Sequence, residues 1–274
     1  MQIREYSLPS GWYPRDPEDV SSFLEAYKEK TGPSRAAISP HAGWYYSGRI
    51  AASGAASLER DAETIVVLGG HLGPSSAPLF AMEDAVRTPF GHLQIDNDLR
   101  AVLLKALDGK EDRYRDNTIE VLLPMVHYFF HKAKLIWLRL PAAIESYEAG
   151  KIISAAAEKS GKKVNILGST DLTHYGINYG FSPKGTGAAA LKWVRDVNDA
   201  NFIKAVEEGK PDLVLRRAEN DYSACSAGAV LGAMGFAEAQ GLGRAKLLEY
   251  GTSADAQNGD VPDSFVGYAA FSFG

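Results

Sequence analysis

This sequence has a single cysteine, no excess of basic charge and no long apolar run. Its 274 residues include one cysteine, Cys225, which excludes an internal disulfide and indicates a reducing compartment. No apolar run is long enough to cross a bilayer, and the first residues lack the apolar core of a secretory signal. The net charge of −5, without a long basic run, argues against nucleic acid and anionic membranes as partners. We therefore expect a cytoplasmic protein.

Nucleotide-binding signatures are also absent from the sequence. Neither a P-loop nor a dinucleotide fingerprint occurs, and the glycine-rich stretch at residues 176–187 matches neither pattern. The expected partner is therefore a small-molecule or peptide ligand. The sequence gives no indication of the oligomeric state.

Strand-like and helix-like patterns alternate along the chain. Residues 64–68 are apolar and mostly β-branched and precede two glycines, which is typical of a strand buried on both faces. Predicted strands also cover residues 35–39, 79–87, 134–140, 163–167, 246–250 and 265–273. Predicted helices cover residues 19–30, 48–58, 96–107, 117–131, 145–160, 188–208, 211–218 and 225–240. This alternation predicts a three-layer α/β/α sandwich around a mostly parallel or mixed sheet, and the lack of linkers predicts one domain over residues 1–274.

Two histidines stand where predicted strands end. His41 follows the strand at residues 35–39, in an aromatic loop before a helix, and His71 follows the strand at residues 64–68. Ligand-binding groups collect at the carboxyl ends of strands in α/β proteins, and imidazole is the commonest transition-metal ligand. Each histidine alone also fits a structural side chain hydrogen-bonded to backbone. Together they favour a metal site assembled by the fold, because their spacing is too wide for a zinc finger.

Cys225 and the pair of Asp171 and His174 have less specific surroundings. Cys225 opens a predicted helix of small residues, whose dipole favours a thiolate that binds metal or attacks electrophiles. The alternative is a small buried residue. Asp171 and His174 follow the strand at residues 163–167, at a spacing that lets a carboxylate orient an imidazole. An aspartate N-cap beside an exposed histidine fits equally well.

The remaining candidates lie between residues 92 and 131. Glu120 opens a helix after Asn117, where a carboxylate serves either as a cap or as a pocket group. His127 and His131 have the one-turn spacing that zinc sites use, but the missing glutamate and the aromatic surroundings favour packing and surface roles. His92 lies in a turn and is expected to be structural.

Taken together and in order, these segments resemble the Memo family, whose bacterial and archaeal members are also called AmmeMemoRadiSam system protein B. The resemblance covers nearly the whole chain. Its most specific segment is residues 40–48, which is similar to the family signature PHAGY.YSG. The other matching segments are residues 11–17 (WYP.DP), 67–71 (LGP.H), 88–96 (TPLG…VD), 119–124 (HS.E..LPFL), 169–176 (SSD..H.G) and 265–270 (VSYAA).

The resemblance implies both a fold and a site. The Memo family is similar in structure to class III extradiol dioxygenases, which hold Fe(II) with two histidines and a carboxylate. In the Memo family a cysteine replaces the carboxylate, so that His41, His71 and Cys225 would be the metal ligands. Fe(II) is the expected metal, and copper or zinc are the alternatives for a site with a thiolate. Asp171 and His174 would be pocket residues, with His174 as the proton-transfer group.

Two positions depart from the family pattern. Asn117 stands where the family usually has histidine, and an amide cannot transfer protons near neutral pH as an imidazole can. It stays in the candidate catalytic set with Glu120, Asp171 and His174. The segment that carries His71 is one residue shorter than the family pattern, which leaves the direction of this side chain open.

Three functions fit these residues. The favoured one is a metal-dependent oxidoreductase of the dioxygenase type that acts on a small substrate, with Trp44, Tyr45 and Tyr46 as pocket walls and His174 moving a proton. The second is a non-catalytic module that binds a metal or a peptide in the same pocket. The third is hydrolysis or acyl transfer by Cys225, with His174 as the base.

Overall fold

Extended segments of the chain form a large sheet and a small one. The computed structural model describes residues 1–29, 32–257 and 260–274. Its strands, in chain order, are β1 (Ile3–Arg4), β2 (Ala36–Ser39), β3 (Thr64–Leu72), β4 (Leu79–Phe80), β5 (Ala85–Thr88), β6 (Gly91–Gln94), β7 (Lys110–Glu111), β8 (Lys134–Pro141), β9 (Val164–Ser169), β10 (His174–Gly176), β11 (Ala245–Thr252) and β12 (Ser264–Phe273).

Nine of the strands in the described part of the chain belong to the large sheet. Their order is β10-β12-β2-β9-β3-β8-β4-β7, and β11 pairs with β12 outside this path. The neighbours β2, β9, β3 and β8 are parallel to one another, whereas β12 is antiparallel to β2 and β4 is antiparallel to β8. The sheet is therefore mixed, with a parallel centre. The small sheet has the order β1-β5-β6.

Helices cover both faces of the large sheet. They are α1 (Pro17–Leu24), α2 (Trp44–Ala56), α3 (Asn97–Ala106), α4 (Asn117–Glu120), α5 (Leu123–Phe129), α6 (Glu145–Ser160), α7 (Gly187–Trp193), α8 (Ala200–Glu207), α9 (Pro211–Asn220) and α10 (Ala227–Ala239). A π-helix (Val194–Asp199) joins α7 to α8, and short 3₁₀ segments follow α1, β10 and β11. No helix in the described ranges is both long and apolar enough to span a membrane.

Alternate residues of the central strands build the two halves of the core. In β3, Val66 and Leu68 pack with α6, α8, α9 and α10 on one face, while Ile65 and Val67 pack with α1, α2 and α5 on the other. All four side chains are fully buried. A strand that is apolar at every position suits this environment, because it has a helix layer on each side. The structure is thus the three-layer α/β/α sandwich that the sequence predicts.

Several element boundaries differ from those predicted. The segment at residues 79–87 is not one strand but two, β4 and β5, which pair in different sheets. The predicted helix at residues 188–208 is continuous but contains the π-helix. Helix α10 begins at Ala227 with Ser226 at its N-cap, so Cys225 precedes the helix. Lys30, the predicted end of the first helix, lies outside the described residues.

Helices α6 and α10 approach each other so closely that glycine is required at the contact. A Cβ atom on Gly150 would lie 2.1 Å from Gly232 O and 2.6 Å from Phe236 N. On the facing helix, a Cβ atom on Gly235 would lie 1.9 Å from Tyr147 O. Backbone atoms, unlike side-chain ends, cannot rotate away. The small-residue sequence of α10 is therefore explained by helix packing.

We expect Gly150→Ala to lower the free energy of unfolding by about 1–3 kcal/mol, the usual cost of overpacking a close contact. Chemical denaturation would measure it. Gly73→Ala is the matched control, because a Cβ there would meet nothing nearer than Ser76 Oγ at 4.0 Å. Equal stability of Gly150→Ala and the wild type would show that the helices separate without cost.

Candidate metal centre

Three adjacent strands place the first site residues at one edge of the sheet. His41 follows β2, Asp171 follows β9, and His71 is the last residue but one of β3. These strands are parallel neighbours, with Ser39 of β2 opposite Ser169 of β9. Their carboxyl ends therefore meet at the same edge.

Cys225 reaches this edge from the loop before α10. Its backbone N–H donates to Asp171 O at 3.2 Å, and the N–H of Ser226 donates to Thr170 Oγ1 at 3.2 Å. The loop is thereby fixed to the end of β9. These two hydrogen bonds bring the sulfur, which is distant in sequence, to the histidines.

The side chains of His41, His71 and Cys225 form one compact cluster. Cys225 Sγ lies 3.2 Å from His41 Nε2, and the ligand atoms of all three residues lie within 4.8 Å of one another. Two ligand atoms on one ion, at bond lengths of about 2.0–2.3 Å, are at most about 4.4 Å apart. The cluster is therefore close to coordination size. Two imidazoles and a thiolate fit an ion such as iron, copper or zinc.

Buried hydrogen bonds hold His41 in place. Its Nδ1 lies 2.8 Å from Ser169 Oγ, so that Nε2 faces the sulfur, and its backbone N–H donates to Asp171 Oδ1 at 2.7 Å. The ring is 1% exposed. Asp171 is also buried, and burial raises the pKa of its carboxyl group. Asp171 thus braces the His41 backbone and the Cys225 loop together.

A bulge in β3 directs His71 toward the sulfur. The pairing of β3 with β8 shifts register between Gly69 and Leu72, and His71 has a φ of 56°, which is unusual for a residue other than glycine. Gly70 lies against the Cys225 loop, because a Cβ there would be 2.4 Å from Ser226 Cβ. The segment that departs from the family pattern is therefore a strained turn that still brings His71 to the cluster.

Asp116 holds the ring of His71, although nothing in the sequence marked this residue as part of the site. Asp116 Oδ2 lies 3.0 Å from His71 Nδ1, and Asp116 Oδ1 accepts the Thr118 N–H at 2.9 Å. Carboxylates commonly orient metal-binding histidines in this way. Asp116 immediately precedes Asn117, and its pairing with His71 arises only from the fold.

Charge interactions control the ionisation of the cluster. Burial raises the pKa of the Cys225 thiol, but the imidazoles of His41 and His71 outweigh burial and hold this pKa well below its usual value. Burial lowers the pKa of His71, yet its hydrogen bonds to Asp116 and Cys225 raise it to about 10. For His41, Asp171 and Cys225 likewise overcome burial and raise the pKa. The surroundings thus favour a thiolate, the form of cysteine that binds metal.

A cavity of about 790 Å³ opens onto His41 and His71 of this cluster, and Cys225 is not among the described residues that line it. Aromatic and uncharged polar side chains dominate its walls, among them Trp12, Tyr46, Tyr179, Tyr268 and Asn178. A larger cavity of about 1000 Å³ lies at the amino ends of β3 and β8. That cavity is at the opposite edge of the sheet, so the smaller cavity is the one that serves the candidate centre.

The structure separates the three aromatic residues that the sequence predicts as pocket walls. Tyr46 lines the cavity. Trp44 is buried and donates its indole N–H to Val121 O at 2.9 Å, and Tyr45 is 72% exposed with its hydroxyl on Ala256 O. Neither is among the described residues that line the cavity. Trp12, Tyr179 after β10 and Tyr268 of β12 line the cavity beside Tyr46 instead.

The candidate catalytic residues are divided in the same way. Asp171, His174 and Asn117 all line the cavity, and Asn117 Nδ2 donates to His41 O at 3.0 Å. Glu120 is 4% exposed and is absent from the described lining residues. Its carboxylate accepts hydrogen bonds from the N–H of Ser7, the N–H of Leu8 and the hydroxyls of Ser7 and Tyr13. Its contacts are thus those of an anchor for residues 7–13, which we call the N-terminal arm.

The fold and the cluster define an α/β/α protein with a candidate metal site of two histidines and a cysteine at the carboxyl ends of its central strands. The Memo-like protein family matches residues 4–272, and the chain belongs to this family.

The relatives agree with this assignment. A MEMO1 family protein from Methanococcoides burtonii is 30% identical over 241 residues, covering 85% of this chain and 84% of that protein. One from Archaeoglobus fulgidus is 29% identical over 283 residues, covering 99% of each. Among solved structures, the uncharacterized protein JW3007 from Escherichia coli K12 is 12% identical, with a TM-score of 0.44 over 86% of this chain and 99% of that one.

We expect Glu120→Gln to loosen the N-terminal arm. An amide oxygen cannot accept all the hydrogen bonds that the carboxylate accepts, and leaving buried donors unpaired costs about 1–3 kcal/mol. Limited proteolysis should therefore cut the first residues faster than in the wild type. Glu219→Gln, on an exposed position of α9, is the control. An arm as resistant as that of the wild type would show that Glu120 is not its anchor.

Proposed function

We propose that this protein holds one transition-metal ion through His41, His71 and Cys225 and uses it to oxidise a small molecule. The convergence of the three ligand atoms within 4.8 Å, beside a cavity of about 790 Å³, supports this most directly. Fe(II) is the metal we propose, and copper or zinc are the competitors because a thiolate is a soft ligand. The Memo resemblance implies the same ligand set, and the chain belongs to that family.

A ferrous ion held by His41, His71 and Cys225 would supply a path for electrons from an electron-rich substrate to oxygen. His174 is the residue placed to move the proton. Its Nδ1 lies 3.1 Å from Leu172 O, so the backbone carbonyl keeps a proton on Nδ1 and leaves Nε2 as an acceptor. A substrate hydroxyl in the cavity can pass its proton to Nε2.

The cavity wall supports an uncharged aromatic substrate. Trp12, Tyr46, Tyr179 and Tyr268 offer ring faces and hydroxyl groups, and the described lining residues include no lysine or arginine. Aromatic pairs prefer offset or edge contacts that a flat ring can make here. A substrate with a carboxylate would find no lysine or arginine among the described lining residues, so we propose a neutral ring with hydroxyl groups.

A second candidate is a module that binds a metal or a peptide without turnover. Asn117 favours it, because its amide occupies the cavity wall and donates to the carbonyl of His41. The resemblance places an imidazole at this position in the family. Without that imidazole, the described cavity wall keeps only one histidine, His174, besides His41 and His71.

Substituting a ligand should lower the metal content of the purified protein. We expect His41→Ala and Cys225→Ser each to lose most of the bound metal, because a fold-assembled site with three ligands cannot hold an ion firmly with two. Elemental analysis after anaerobic purification without affinity metals or chelators is the measurement. His131→Ala, at the opposite edge of the sheet, is the matched control. Wild-type stoichiometry in both ligand variants would contradict the proposed centre.

Oxygen consumption with a panel of hydroxylated aromatic compounds tests the activity. We expect consumption that stops on chelation and increases in Asn117→His, because an imidazole there adds a second proton-transfer group. Metal binding without consumption in either protein would instead support the non-catalytic module. Turnover that survives chelation, together with alkylation of Cys225 in metal-free protein, would support the Cys225 hydrolase.

A further inference from the structure

Of the two histidines in the cluster, His71 is the one that the sheet holds less firmly. Its side chain is 33% exposed, its backbone is left-handed, and the ladder between β3 and β8 is interrupted around it. By contrast, His41 is buried and braced by two neighbours at the end of β9. A strained backbone persists only where its surroundings impose it. Some other group must therefore fix both the turn and the ring of His71.

Arg139, from β8, contacts the two groups that flank His71, the Gly70 carbonyl and the Asp116 carboxylate. Its Nε donates to Gly70 O at 2.9 Å, the carbonyl of the peptide that leads into His71. Its Nη2 lies 3.3 Å from Asp116 Oδ2, the same oxygen that lies 3.0 Å from His71 Nδ1. One guanidinium group therefore fixes both the backbone that leads into His71 and the Asp116 carboxylate beside the His71 imidazole.

The remaining nitrogen of the guanidinium locks Arg139 in this orientation. Nη1 lies 3.3 Å from Asp112 Oδ1, and Asp112 Oδ2 accepts the indole N–H of Trp137 at 2.9 Å. The side chains of Arg139 and Asp112 are 4% and 0% exposed. A planar fork with fixed donor directions suits three such acceptors, whereas the ammonium of lysine supplies the charge without these directions.

We propose that Arg139 is a positioning residue that sets the direction of the His71 imidazole for metal binding. This inference rests on the proposed metal function, and Arg139 acts through His71 and Asp116 without reaching the ion. With Nδ1 of His71 held by Asp116, Nε2 is turned toward Cys225. Loss of such outer partners costs about 10–100-fold in metal affinity, and Arg139 should have an effect of this size.

The test compares Arg139→Lys with the wild type by chelator competition for Co(II) and by the Co(II) absorption spectrum. Lysine keeps the positive charge between Asp112 and Asp116 but removes the fork. We expect about 10–100-fold weaker Co(II) binding and a shifted sulfur-to-cobalt absorption band. Unchanged affinity and an unchanged spectrum would overturn the proposal.

Arg35→Lys is the matched control for losing a partly buried arginine. Arg35 Nη2 donates to Val164 O at 3.0 Å and its Nη1 donates to Gln240, at the amino end of β9 and therefore away from the cluster. We expect this variant to bind Co(II) like the wild type even if both variants unfold at lower denaturant concentration. An equal loss of affinity in both variants would show a general effect of destabilisation and would refute a positioning role.

A measurement on metal-free protein separates this inference from the metal function. In the wild type, the proton on His71 Nδ1 should give a downfield NMR resonance that exchanges slowly, because it is hydrogen-bonded to Asp116. In Arg139→Lys that proton should exchange faster. If the wild type binds no metal but the resonance changes as expected, the metal function fails and the positioning role stands. An unchanged resonance overturns the positioning role whatever the metal result.

A second variant keeps the proposal testable if Arg139→Lys does not fold. Asp116→Asn retains an oxygen for the Thr118 N–H but places an amide where the shared oxygen stood, and the same loss of Co(II) affinity is expected. An Asp116→Asn variant that folds and binds Co(II) as tightly as the wild type would show that Arg139 does not act through Asp116.

Discussion

The parallel pairing of β2, β9 and β3 is the constraint on which the rest of the site depends. Because Ser39 lies opposite Ser169 and Leu68 lies opposite Gly168, the register brings positions 41, 171 and 71 to the same level of the sheet. The side chains of His41, Asp171 and His71 therefore lie close together at the carboxyl ends of the three strands. A shift of one register position would exchange the side chains that pack against the two helix layers, so the hydrophobic core and the candidate centre are fixed by the same ladder. The site is in this sense a product of core packing.

Residues near strand ends were accessible to sequence reasoning because their signal is local. His41, His71 and Asp171 each follow an apolar run, and the α/β alternation alone places such positions together. Cys225 carried only a weak local signal, and the Memo resemblance was needed to single it out. Asp116 and Arg139 gave no local signal, since His71 lies 45 residues from Asp116 in sequence. Contacts of that kind follow from the folded chain, and no periodicity reports them.

The aromatic residues 44–46 show where a prediction from local sequence fails. Trp44, Tyr45 and Tyr46 are consecutive, but they form the first turn of α2 and therefore point in three directions. One enters the core, one faces solvent and one reaches the cavity. Glu120 illustrates the same limit, because its hydrogen-bonding partners Ser7 and Leu8 lie more than a hundred residues earlier. The type of a residue indicates which chemistry its side chain can perform. Its position around the helix and its distant hydrogen-bonding partners decide whether that side chain reaches the cavity.

The position of β12 has a consequence for how the protein is made. This strand, at residues 264–273, is the last of the described strands in chain order and yet lies inside the large sheet, between β10 and β2. On the ribosome, the early strands therefore emerge without the neighbour that completes their hydrogen bonding. Pairing between distant parts of a chain is slow, and unpaired strand edges promote aggregation. The large sheet thus stays incomplete until β12 has been synthesised, and a chain without β12 would leave β10 and β11 unconnected to β2.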